Sequence, residues 1–564
     1  MLVHAVCYSE WLGTFLYIRA MPSAVNASAP ATPATSRWNT LFNDAWPRDW
    51  FVVSGYAFAI FAALGSLTWP LGRDQGMFAW VGEVILRGGL PYRDAWEMKG
   101  PLCYYVYAFV IALFGSNDVG IRIFDLAPTL AACWLIFSLV QRLSHANRLG
   151  SHCAVIYFLL TYYGCGFPST AQPDGWAGII VPAVVVLVTG VKAPSARKMM
   201  AAGALLAIAA LLKPTFLLFL IIPIVAMVAS RTRENALMAV TSLMLGFVIP
   251  VGAALFYFDS RAAMHDLIET NRFLAITYSK FAEANPLLRI RDFIAVLPHL
   301  ALLVPILFAP FGIRQMVRDG YRSESIVVGA WLALTLALVL IQGRFWVYHW
   351  LPAVIALSVG SGLAIGAILQ RLGPLHNRGG WRLAIGVVAM AALLLPSAGR
   401  AVYRSYEWPI YMAGRETRQL YLEHVSMLAH GWNSSTFLAI ADYIRGHSQP
   451  EDRVLCWGID PVINFYAGRL APSRFGYSYP IAVPGAMREG YRKIFLNEIT
   501  DTPPRYIVID ARQSWELIDE PGLVLLQAFP QFAAFIRDGY VQETTFGDYQ
   551  VWGRTSTNDG PKDR

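Results

Sequence analysis

"DQGMFAWVGEVILRGGLPYRDAWEMKGP", residues 74–101, comes almost directly after the apolar run FVVSGYAFAIFAALGSLTWP at 51–70. Together with Arg73 it sets Asp74, Glu83, Asp94 and Glu97 against Arg73, Arg87, Arg93 and Lys99. A charge carried to the centre of a bilayer costs about 2.5–3.5 kcal/mol even on lenient insertion scales, so charges crowded beside a membrane run mark a rim where protein, lipid and water meet. The fold turns on which rim this is and on whether the next apolar segment spans.

The 564 residues are 56% apolar and only 15% charged, with mean hydropathy +0.45, outside the range of soluble domains. Runs at 51–70, 236–258 and 351–370 each reach the ~20 residues that a helix needs to cross the hydrocarbon. The fold class expected is a polytopic α-helical membrane protein. Its net charge of +8 is read loop by loop as a topology signal and implies no nucleic-acid partner. The six cysteines show no disulfide or metal spacing and read as packing residues. Residues 1–49 lack the pattern of a cleaved signal and read as a flexible cytoplasmic tail, with Met21 as an alternative start.

Five short polar loops, at 141–150, 191–198, 230–234, 314–325 and 371–382, carry two or three Arg or Lys each, against Glu234, Asp319 and Glu324 as their acids. The positive-inside rule places all five in the cytoplasm. Helix pairs then link them: 151–166 with 174–190, 200–212 with 214–229, 236–258 with 292–313, and 326–342 with 347–370. Their outward turns are GFPSTAQPDG (166–175), LKPT (212–215), the stretch 259–291 and QGRFWVYHW (342–350). Parity puts 71–118 outside as a first outer loop. Of its apolar segments, 102–115 is too short to span and reads as interfacial, whereas 119–140 crosses. The count is eleven spans within a membrane domain at 50–397, with an outer-face α/β domain at 398–564 after it. There RVLCWG, RYIVID and YQVWG read as strands, and Ser434 and Ser435 cap a helix to Gly446.

Asp74 lies just beyond Pro70, where a partly desolvated carboxylate suits a general base. Asp94 and Glu97 share one face if helical. Lys99 is a compact point charge suited to phosphate, with snorkelling to the headgroups as the competing structural reading. Asp174, Lys213, Arg344, Tyr348 and His349 occupy the other outer turns. Arg122 and Asp125 read as a structural pair. No nucleotide loop, HExxH or GxSxG is present, so an enzyme built on this rim takes an activated substrate already embedded in lipid. A transporter or flippase for a lipid-linked or anionic substrate is the alternative; midplane charges and inverted repeats expected of one are not evident.

The pattern PYRDAWEMKGP with a preceding DQG, joined by QPDG (172–175), LLKPTFLL (211–218), RFWVYHWLP (344–352) and VLCWGIDPVINFYAGRLAPSRFGY (454–477), resembles polyprenyl-phosphate-dependent glycosyltransferases of the C fold (GT-C). That superfamily includes protein O-mannosyltransferases, the lipid A aminoarabinose transferase and rhizobial galacturonosyltransferases. The resemblance implies catalytic acids at Asp74 and Asp174 and donor-phosphate contacts at Lys99, Arg344 and His349. Tyr92, Asp94, Glu97, Lys213 and Tyr348 are further candidates for substrate contacts on the same rim. The resemblance also implies a polyprenyl-phosphate-linked sugar donor, a glycan, lipid or protein acceptor in the cell envelope, such as lipopolysaccharide, and transfer at the outer face of a bacterial inner membrane. It names no certain cofactor and leaves a divalent metal open.

Overall fold

The structure, a computed structural model, describes residues 48–144, 147–190, 194–230, 236–281, 285–372, 380–427, 432–515 and 518–555. The chain divides into a unit at 1–51 and a compact unit at 52–564. The expected tail, Cys7, and parts of the basic loops near 145, 191, 231 and 373 lie outside the described residues.

Among the described residues, five helices are long and apolar enough to cross a membrane: Asp118–Leu143, Ala236–Ser260, Arg322–Gln342, Val347–Leu372 and Ala384–Met412. The expected single helix at 292–313 is instead Pro286–His299 and Leu303–Arg318, bent by 96° at a break after Pro298. A proline ring removes a backbone donor and crowds the preceding turn, and this helix ends one residue after Pro298. The segment 214–229 likewise opens as a 3-10 turn, Pro214–Leu220, before the helix Ile221–Ala229. Arg148–Gly164, Pro173–Val188 and Ala196–Leu212 are 16- or 17-residue helices. Small residues bring some of these backbones close together. Gly203 sits against the Leu243 carbonyl and Gly246 against that of Met200, leaving no room for a Cβ.

Side-chain bonds tie the basic-loop termini together at one end of the helices. Arg142 donates to the Thr189 carbonyl at 3.1 Å, Gln370 to Ser144, Arg371 to Gln315, and Ser323 to Ala229. The turns expected on the outer side gather at the other end, with Lys213 reaching both Asp174 and Gln342. Charge counting therefore sorted the turns into two sets that the fold also separates.

Ahead of the first of these long helices, the stretch that opened the sequence forms two 14-residue helices, Arg73–Leu86 and Pro101–Phe114. The second matches the short segment expected not to span. Residues 91–99 are not helical, so Asp94 and Glu97 do not share a helix face. Asp94 instead accepts from the Leu90 backbone amide at 2.7 Å and pairs with Arg93, closing the turn. This turn is tight enough to hold Tyr92 at φ 70°, a region costly for a bulky residue.

The last long helix, Gly380–Ser405, runs past the expected boundary at 398. Beyond it a four-stranded sheet has the order β1-β2-β4-β3, with β1 at Val454–Trp457, β2 at Tyr506–Asp510, β3 at Tyr540–Phe546 and β4 at Tyr549–Arg554. β1 and β2 are parallel, and the β3–β4 hairpin adds antiparallel to β2. Sequence reading found β1, β2 and β4 but missed β3, whose YVQETTF is mostly exposed and lacks an apolar face. The helix Ser434–His447 is capped by Asn433, whose side chain accepts from the Thr436 amide, rather than by Ser434 or Ser435. The sheet region packs straight onto the stretch 91–99. Trp96 donates its amide to the Arg474 carbonyl at 2.8 Å and packs among Phe273, Tyr477 and Tyr491.

Candidate active site

A cavity of about 300 Å³ opens where these pieces meet. One wall is Asp74, Glu97 and Lys99; aromatic walls come from Tyr278, Tyr348, Tyr477 and Tyr479, with Arg73 and Arg404 at its edge. A concave site with aromatic faces and a few convergent charges is the usual form of a small-molecule pocket.

Asp74 stands in the first turn of its helix. The helix start is fixed from behind by Gln75, which accepts from the Gly72 amide at 2.6 Å and from Arg122 at 2.9 Å and donates to the carbonyl of Phe167 at 2.7 Å. Arg122, 1% exposed, also donates to Thr170 at 2.9 Å and to the Pro70 carbonyl. Asp125 instead accepts from Tyr162 at 2.8 Å and Trp176 at 2.7 Å, so the expected Arg122–Asp125 pair is split between two networks. The result aims Asp74 into the cavity, with one buried carboxylate oxygen, Oδ2, lacking any hydrogen bond. That oxygen is 3.6 Å from the Lys99 ammonium.

Lys99 is placed by its backbone. Its amide donates to Glu97 at 2.9 Å and to the Tyr104 hydroxyl at 2.7 Å, and its carbonyl accepts from Tyr92 at 2.8 Å. The Tyr104 hydroxyl is also bonded to Glu97. Burial alone would lower the Lys99 pKa, but Tyr348, Asp74 and Glu97 outweigh it and hold the pKa above the ordinary lysine value. Burial raises that of Glu97, against the pull of Lys99 and Tyr104. The next residue, Gly100, runs against the Leu211 carbonyl so closely that a Cβ would collide with backbone. Gly100→Ala is expected to cost about 1–3 kcal/mol through overpacking, measured as a lower thermal unfolding temperature in detergent; an unchanged temperature would refute this close packing.

Asp174 and Lys213 pair with each other but neither lines the cavity. Asp174 is fully buried, and Lys213 lies behind the Tyr348 ring, 6.0 Å from its centroid, whereas Lys99 faces the same ring at 5.4 Å. Arg344 packs against Tyr278 at 5.2 Å and donates to its carbonyl at 3.4 Å, one layer back from the cavity. His349 is buried behind Tyr348, its Nδ1 without a hydrogen bond. Of the residues singled out in the sequence, Asp74, Glu97, Lys99 and Tyr348 thus form the cavity wall. Tyr92, Asp174, Lys213, Arg344 and His349 stand behind it, and Asp94 is a turn residue.

Sequence reasoning missed Tyr278, Tyr479, Trp432, Arg73 and Arg404 as cavity residues. Tyr477 and Trp346 lay in quoted motifs without being assigned a role. The α/β region also reaches the site through Asp460, which is 3.5 Å from Arg73 Nε and is held by Tyr549 at 2.7 Å and Arg512 at 2.5 Å.

Residues 98–256 match the family model described as dolichyl-phosphate-mannose-protein mannosyltransferase. No curated protein matches the sequence. Among solved structures, ArnT from Cupriavidus metallidurans in its apo state aligns with a TM-score of 0.54 at 16% identity, over 91% of this chain and 99% of that one. The same protein bound to undecaprenyl phosphate aligns with a TM-score of 0.56 at 15% identity, with the same coverage. The chain therefore shares the fold of ArnT over nearly the whole length of both proteins.

Proposed function

We propose that this protein transfers one sugar from a polyprenyl-phosphate donor to an acceptor hydroxyl, with Asp74 as base and Lys99 as the phosphate ligand. The observation that carries the reading is the pair itself: a carboxylate and an ammonium 3.6 Å apart on the wall of an aromatic cavity. The acceptor O–H gives its proton to Asp74 while its oxygen attacks the anomeric carbon. The bond from that carbon to the phosphate oxygen breaks, and the departing phosphate carries the electron pair. Attack opposite the leaving group inverts the anomeric centre. Lys99 stabilises the charge that develops on the phosphate, and a preorganised cation in a dry site is worth far more than one in water.

The resting ion pair has a consequence for order. A phosphate arriving at Lys99 competes with Asp74 for the ammonium and frees the base, so donor binding precedes activation of the acceptor. An apolar slot lined by Pro101, Leu102, Tyr105, Leu211 and Tyr257 begins two residues from Lys99 and suits the first isoprene units of the lipid. The positive-inside count supports placing the cavity on the outer side of the cytoplasmic membrane, with eleven crossings. Asp174, Lys213, Arg344 and His349 act as supports for the wall that Tyr348 forms.

Undecaprenyl phosphate is the probe for the donor site. Native mass spectrometry of the protein in nanodiscs is expected to show one retained molecule, displaced in the Lys99→Glu variant; equal retention by both would overturn the phosphate role. Mass spectrometry of envelope glycans from a deletion strain is expected to show one missing sugar, and an unchanged profile would overturn transfer.

The Lys213 support predicts a pH effect. Burial lowers the pKa of this lysine to about 8, despite the pull of Asp174. As pH rises through about 8 the ammonium loses its proton and Asp174 its counter-charge, so transfer is expected to fall on that alkaline limb. Arginine keeps its charge well above this range, so Lys213→Arg moves the limb upward. An identical pH profile in the two proteins would refute the link.

A further inference from the structure

Just beyond the last long helix, three side chains from three separate segments converge. Glu407 lies in the turn after Ser405, Glu416 in the link before the helix Arg418–Met427, and His424 within that helix. One ligand atom from each comes within 4.8 Å of the others. His424 Nδ1 is 3.3 Å from Glu416 Oε2 and 3.6 Å from Glu407 Oε2.

These separations are too long for direct charge-assisted hydrogen bonds, which fall near 2.7–2.9 Å. They do suit atoms sharing a cation: ligands held at about 2.0–2.1 Å in tetrahedral geometry lie roughly 3.4 Å apart. His424 Nδ1 is buried without a hydrogen bond, as is the other Glu416 oxygen, Oε1. The Glu416 side chain is only 4% exposed, so a carboxylate more than nine-tenths buried stands in the cluster with Oε2 toward His424 and Oε1 without a hydrogen bond. The nearby Arg418 turns away to Asp118 at 3.3 Å and to the Thr68 carbonyl at 2.6 Å. Two carboxylates and an imidazole therefore face one another without a committed cation.

We infer that Glu407, Glu416 and His424 bind a divalent transition-metal cation of the zinc type. One nitrogen and two carboxylate oxygens suit such an ion, and the partly exposed His424 edge leaves an open position for water. The ion ties the end of the last long helix to the helix that leads into the sheet region. It sits outside the cavity, although Arg404, one turn before Glu407, lines that cavity.

The full chain, purified in nanodiscs and stripped with chelator, is titrated with zinc by calorimetry, with metal content read by mass spectrometry and no sugar donor present. One equivalent is expected to bind, with a rise in thermal unfolding temperature. Glu416→Gln and His424→Ala should each weaken binding by more than about 100-fold, while His265→Ala, at an exposed histidine, leaves it unchanged. X-ray absorption at the zinc edge of the wild type tests the site without any variant, and one imidazole with oxygen neighbours is the expected shell. The assignment is overturned if the wild type binds no stoichiometric zinc, if His424→Ala binds it equally well, or if the shell contains sulfur or lacks imidazole. A protonated His424 bridging two carboxylates would give the first of these outcomes. Because no transfer is measured, failure here leaves the proposed reaction standing.

Discussion

Asp74→Asn is expected to lower sugar transfer by about 10²–10⁴-fold, the range attributed to a positioned general base, with little change in protein abundance and with undecaprenyl phosphate binding retained or tightened, since Asp74 no longer competes for the Lys99 ammonium. The amide matches the carboxylate in shape but does not take a proton. Its structural cost is small because Asp74 Oδ2 makes no hydrogen bond in the fold, and the helix start is held by Gln75 and Arg122 rather than by Asp74. The measurement is transfer from a lipid-linked donor in reconstituted membranes, at donor levels saturating both proteins. Retained activity would remove Asp74 from the role of base. Loss of donor binding together with activity would instead point to a place in the phosphate site.

Lys99→Met is expected to cost about 10²–10³-fold in transfer, the scale for removing one preorganised electrostatic contact, and to weaken donor binding as well. Methionine keeps an apolar stem of similar length while deleting the ammonium that lies over Phe78 and Tyr348. The variant also removes the Lys99 charge that opposes the burial-driven rise of the Glu97 pKa, so that rise becomes larger. Lys99→Arg should recover only part of the activity, because a planar fork does not occupy the space of a compact ammonium. Full activity in Lys99→Met would leave the phosphate without its proposed partner.

The α/β region contributes to the same wall through Arg73, which stacks over Trp432 at 5.5 Å and reaches Asp460. Asp460 is itself fixed by Arg512 and Tyr549. The residue next to the proposed base is thus held by the turn after β1, nearly 400 positions away, an arrangement that local sequence does not announce. This connection gives the sheet region a structural part in the site.

Hydrophobicity and charge, read along the chain, determined the membrane class, the sorting of turns into two sets, the short non-spanning helix at 101–114 and three of the four strands. Each of these rests on local composition. Asp74 and Lys99 were legible too, because a carboxylate and an ammonium beside an apolar run stand out against the cost of burying charge. Tertiary structure decided which of the candidates face the cavity. Asp174 and Lys213 satisfy each other one layer behind Tyr348, and Asp94 turns back to its own loop, since a buried charge takes whichever partner packing brings within reach. Tyr278, Tyr479, Trp432 and Arg404 come from segments remote from Asp74 in the chain. Nothing in their immediate sequence distinguishes them from packing residues, and only the convergence of helices and sheet makes them one wall.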